Sequence, residues 1–113
     1  MEKVGRKSKA FSRTDMVYKI VLKTLAEQDI TEAAEWYFTN APHLTSQFIE
    51  KIEEALNMLE KNPEQYQRRY NQIRVFFTSI FPYGLYYTLE QDTIIIHAVL
   101  HTKRNPKKGI ERI

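Results

Sequence analysis

The last third of the chain holds three apolar, strand-like runs separated by only a few residues each. Ile73-Arg74-Val75-Phe76-Phe77 is followed by Phe81-Pro82-Tyr83-Gly84-Leu85-Tyr86-Tyr87 and then by Ile94-Ile95-Ile96-His97-Ala98-Val99-Leu100. Connections this short join antiparallel neighbours, so the stretch reads as a β-meander. Glu90-Gln91-Asp92 is the tight polar turn before the last run. That run is almost continuously apolar, as expected for a strand covered on both sides.

Upstream the period changes. Tyr18, Ile20 and Leu22 alternate with Lys19, Val21 and Lys23, the pattern of a strand with one apolar face. From Asp29 onward Ile30, Ala33, Ala34 and Tyr37 fall on one helix face, and Asp29 with Glu32 resembles a capping box. Asn40-Ala41-Pro42 ends this helix, because proline disfavours helical geometry in the residue before it. A second helix is predicted from about Leu44 to Lys61, with Phe48, Ile52, Ala55, Leu56 and Leu59 as its stripe and Asn62-Pro63 as its stop. The short link predicts an antiparallel hairpin, with Trp36 packed in or near it. Glu64 to Gln72 reads as a polar connection. The expected fold is α+β, ordered β-α-α-β-β-β, with the hairpin on one face of a small, mainly antiparallel four-stranded sheet. Part of the other face stays open as a binding surface.

With 113 residues the chain suits one small domain. Residues 1–16 read as a basic, flexible arm and residues 17–113 as the domain. The charge is segregated. Residues 1–16 carry five basic and two acidic groups, residues 17–67 four and nine, and residues 68–113 eight and three. A cationic C-terminal part suits phosphate or an acidic protein partner. The absence of cysteine excludes disulfides and thiolate chemistry and fits a reducing, cytoplasmic setting. No apolar run has the length of a membrane helix, and no membrane partner is expected.

Few residues offer chemistry. The three glycines are not clustered, which excludes a phosphate-cradling glycine loop. His97 and His101 would share a strand face roughly 13 Å apart, too far to hold one metal, so neither metal nor cofactor is expected. His101 ends the last strand three residues before Arg104, where an imidazole suits a bond to a strand-end carbonyl or, alternatively, proton transfer. Arg74, Lys103, Arg104 and Lys107 suit phosphate or developing negative charge. Tyr83, Tyr86 and Tyr87 suit stacking on bases, although core packing claims at least one of them.

Over about residues 17–106 the chain resembles the RelE/ParE superfamily, the toxins of type II toxin–antitoxin modules, and the ParE, plasmid-stabilising branch more than the RelE branch. The likeness rests on Glu32-Ala33-Ala34-Glu35-Trp36-Tyr37, on Phe48 through Ile52 and Leu59 to Pro63, on Ile73-Arg74, on Phe81-Pro82-Tyr83-x-Leu85-x-Tyr87, and on Val99-Leu100-His101-x-x-Arg104-x-Pro106. The resemblance implies a cognate antitoxin as partner. It further implies either inhibition of DNA gyrase, the ParE route, or cleavage of mRNA on the ribosome, the RelE route. A weakly toxic interaction module and a homodimer are also compatible with it. Carried across residue by residue, Arg74 matches a basic residue of the first meander strand and Arg104 the arginine after the last. Phe76 and Gly84 stand where two further basic residues would be, and Ile110 where a tyrosine is expected. Losing several such groups would cost orders of magnitude in RNA cleavage, which favours the gyrase reading. The residues expected to bind target or antitoxin are Arg74, Tyr83, Tyr86, Lys103, Arg104 and Lys107. His101, Arg104 and Arg74 would be catalytic under the ribonuclease reading.

Overall fold

The computed structural model describes residues 17–113; the N-terminal arm expected over residues 1–16 lies outside them. The order is β1 (Lys19–Leu22), α1 (Thr24–Asn40), α2 (Thr45–Lys61), β2 (Arg68–Tyr70), β3 (Ile73–Phe77), β4 (Tyr83–Glu90), β5 (Thr93–His101) and α3 (Lys107–Ile110). Short 3-10 turns at Pro42–Leu44 and Pro63–Gln65 follow the two long helices, where proline was expected to stop them. The α+β class and the hairpin on one sheet face hold as expected.

Among the described residues the sheet has five strands, not four, in the order β1-β5-β4-β3-β2. The additional strand is β2, inside the stretch read as a polar connection. Its three residues carry no apolar alternation, and a turn at Asn71, with φ 55°, folds it onto β3. β1 and β5 run parallel, and the other described pairs of strands are antiparallel.

The helix α1 begins at Thr24, directly after β1, so Asp29 lies inside it and caps nothing. The apolar period is visible only from Ile30 because the first turns present a mixed face. Ala26 is fully buried while Leu25 is exposed. On α2 the expected stripe is buried at Phe48, Ile52, Ala55 and Leu59.

The main core fills the space between hairpin and sheet. Phe48 and Leu59 from α2, Ala26 and Tyr37 from α1, and Leu85, Tyr87, Ile94 and Ile96 from the sheet belong to it. Each large side chain fully buried there contributes about 1.5–3 kcal/mol before entropy is subtracted. Tyr87 remains hydrogen-bonded, donating to the Pro63 carbonyl at 2.6 Å. A smaller cluster on the opposite face joins Ile73, Val75, Tyr86, Ala98 and Leu100, with Tyr70 and Ile110 packed against it. The opposite face, expected to stay open in part, is covered in part by α3. Gly109 permits the approach, since a Cβ there would lie 3.0 Å from Tyr86 Cδ2.

A β-bulge separates the two strand histidines. Tyr86 pairs with Ala98 and Tyr87 with Ile96, which leaves His97 as the extra residue. His97 bonds Thr88 at 2.8 Å, while His101 packs edge-on against Tyr83. Thr88 and Tyr83 point to opposite faces by the strand alternation. The expectation that the two histidines share a face fails for that reason.

Candidate functional site

The site grows out of the end of β5. The ladder with β1 stops at Leu22 opposite Ile96, and Lys23 adds one backbone bond to the Ile96 carbonyl at 3.1 Å. Beyond that point no strand among the described residues lies beside the outer edge of β5, and unpaired backbone groups there would be costly. Two side chains take the place of a strand. The Asp29 carboxylate accepts the Val99 N–H at 2.9 Å, and the Arg112 guanidinium donates to the His97 carbonyl at 3.0 Å. The two also pair with each other in a fork, at 2.7 and 3.1 Å. Hydrogen bonding to Asp29 raises the pKa of Arg112 above its ordinary value.

Between this edge and α1 lies a cleft of about 330 Å³. Its walls include Trp36 and Glu32 from α1, Val99 and His101 from β5, Tyr83 from β4 and Arg104 from the following loop. Trp36 is 57% exposed, with its ring edge-on to Tyr37 at 5.1 Å. It stands at the surface of the hairpin, near its core through Tyr37 but not inside it. Tyr83 is buried against Phe48, and burial first, then the neighbouring Tyr37, pushes its pKa up to about 12. It stays a neutral phenol at any physiological pH. The Lys103 N–H donates to His101 Nδ1 at 3.1 Å. The neutral ring therefore carries its proton on Nε2, which is left as a donor.

Of the residues expected to form a site, the structure brings together Tyr83, His101 and Arg104. Lys103 and Lys107 are exposed in the segment that follows β5. Arg74 is not part of this group. It sits on β3 opposite Tyr87, whereas His101 lies opposite Tyr83 on the far side of β4. Its guanidinium donates to the carbonyls of Glu64 at 3.0 Å and Tyr66 at 2.6 Å, tying the turn after α2 to the sheet. Tyr86 is buried beneath Gly109 and stacked on Tyr70, away from solvent. Sequence reasoning missed Asp29, Arg112 and the exposure of Trp36. The ion pair joins residues 83 positions apart and leaves no local signal. Trp36 did leave one, since it is offset from the Ala33 and Tyr37 stripe. Among the described residues no helix is long and apolar enough to cross a membrane.

The sequence matches the family described as "ParE toxin of type II toxin-antitoxin system, parDE" over residues 20–106. The fold is similar to a solved chain from the chromosomal ParDE toxin–antitoxin system of P. aeruginosa, with a TM-score of 0.69 at 13% identity, covering 77% of this chain and 98% of that one. No curated protein matches the sequence. The family match contains Asp29, Trp36, His101 and Arg104 but stops before Arg112.

Proposed function

The chain belongs to the ParE toxin family of type II toxin–antitoxin systems, and from that premise we propose that it acts by binding a large target, DNA gyrase, rather than by cutting RNA. A cognate antitoxin is its partner within the system. The observation that carries the choice between targets is the location of Arg74. Phosphoryl-transfer chemistry on RNA needs charge stabilisation and proton transfer at one place. Arg74, which would complete such a site with His101 and Arg104, lies on the other side of β4 and turns its Nη1 donors to two backbone carbonyls. The other two basic positions of the RelE pattern are Phe76, which is buried, and Gly84. A side chain at Gly84 has no room, because a Cβ would lie 2.9 Å from Val75 Cγ1.

On this reading the protein is an inhibitor without a reaction of its own, acting in the cytoplasm. The exposed Lys103, Arg104 and Lys107 supply the cationic surface that meets a target or an acidic antitoxin. Induction of the toxin without antitoxin tests the proposal. Blocked supercoiling with intact mRNA is the expected result. Rapid loss of translation with cleaved mRNA would overturn it in favour of ribosome-dependent cleavage. Full toxicity of an Arg104→Ala variant would remove Arg104 from the target surface.

A further inference from the structure

Resting on the toxin–antitoxin reading, we propose that the cleft between α1 and the end of β5 is an anchor site for one aromatic side chain of the antitoxin, with an adjacent carboxylate held by Arg104 and the Nε2–H of His101. Four observations converge on this chemistry. The volume, about 330 Å³, is at the lower end for ligand pockets and suits one large side chain rather than a helix. The walls include an exposed indole and a buried phenol, a surface suited to edge or face contact with another ring.

The charges in the lining define the ligand further. Asp29 and Arg112 neutralise each other. Neither Glu32 nor Arg104 forms an ion pair among the described residues. Glu32 acts on Arg112 across the lining, so the exposed Arg104 is the base left without an acid, which disfavours a multiply charged phosphate and suits a ligand with a single carboxylate on an apolar body. The backbone offers a further contact. Residues of an antiparallel strand turn N–H and C=O to the same side, so the Val99 carbonyl lies on the edge where Asp29 takes the Val99 N–H. That carbonyl can accept an N–H from an extended segment lying along the cleft. The source of the ligand follows from charge and family together. Residues 68–113 carry eight basic and three acidic groups, and an acidic partner segment complements them.

The chain has a single tryptophan, Trp36, at the site, so its fluorescence reports occupancy directly. The purified full chain is titrated with N-acetyl-Phe-Glu-amide, N-acetyl-Phe-Gln-amide, N-acetyl-Ala-Glu-amide and adenosine monophosphate. The expected result is a saturable change with the first peptide and about tenfold weaker binding of the other two, the loss of one charge-assisted bond or one ring contact. Arg104→Ala, checked for native circular dichroism, should lower affinity for the Phe-Glu peptide to that of the Phe-Gln peptide. Equal responses to all peptides, tighter binding of the nucleotide, or a signal that depends on toxin concentration alone would overturn the proposal. Adding the cognate antitoxin separates the two levels of inference. An antitoxin that neutralises the toxin but leaves the peptide response intact overturns the anchor site and spares the toxin–antitoxin reading. A response that the antitoxin abolishes by competition supports both.

Discussion

Arg74 on β3 and Arg104 after β5 are both arginines of the cationic C-terminal part, yet the structure uses them in opposite ways. Around Arg74 the chain is closed on itself. The guanidinium is half-buried and holds the carbonyls of Glu64 and Tyr66. Around Arg104 the chain is open, and the side chain is exposed beside a cleft with Trp36 at its wall. In the first region the fold takes up two guanidinium N–H groups, and in the second the guanidinium remains available to a partner. The comparison teaches that a count of basic residues measures potential for binding, whereas burial and competing acceptors decide how much of it survives folding.

Substitution at Arg74 is the most direct way to break this comparison. Arg74→Ala should lower the free energy of unfolding by about 2–3 kcal/mol, since two carbonyls lose a charged donor. Urea denaturation measures it, and an unchanged midpoint would mean that the guanidinium is free after all. The open region has its own structural tie in Arg112. Arg112→Ala should cost about 2 kcal/mol, less than a fully buried pair, because both partners are part-exposed. Faster hydrogen exchange at the Val99 amide should accompany it. Gly84, between the two regions, sharpens the contrast in a different way. Gly84→Ala should destabilise by about 1–2 kcal/mol through overpacking against Val75 and Phe77.

The two strand histidines repeat the comparison at smaller scale. His97 is buried, its Nδ1 has no partner among the described residues, and burial first, then Lys23, lowers its pKa below the ordinary value. The unfolded chain takes up that proton near pH 6.5, whereas the folded chain does so only at lower pH. Stability should therefore fall as pH drops below about 6.5, and urea midpoints of His97→Gln should depend less on pH over that range. The smallest expected effect on stability is that of Arg104→Ala, within about 0.5 kcal/mol as for other exposed positions. A larger loss would place Arg104 with Arg74 as part of the fold.

Much of this was legible before the fold was known. The prolines at 42 and 63 marked the helix ends, and the stripe from Phe48 to Leu59 identified the buried face of α2. The meander followed from apolar runs with short connections. Other features lacked a local signal. Asp29 and Glu32 have the spacing of a capping box, but β1 feeds α1 directly, so the same spacing falls inside the helix. Arg68–Tyr70 has no apolar alternation and becomes a strand only because β3 offers an edge. Tyr86 looked available because the length and seat of α3 were not readable from four residues. Arg74, Tyr83 and Arg104 looked equivalent as candidates, and only their neighbours distinguish them.

The sequence by itself determined the class, the family and the layer order, because hydrophobic period, proline and turn spacing act over a few residues. The tertiary structure decided which charged and aromatic groups remain free. That outcome depends on pairings such as Asp29 with Arg112 and Arg74 with the carbonyls after α2. It depends also on a bulge that turns His97 and His101 to different faces. Such pairings join residues far apart in the chain, and they form because the unpaired backbone and side-chain groups would otherwise be buried without partners.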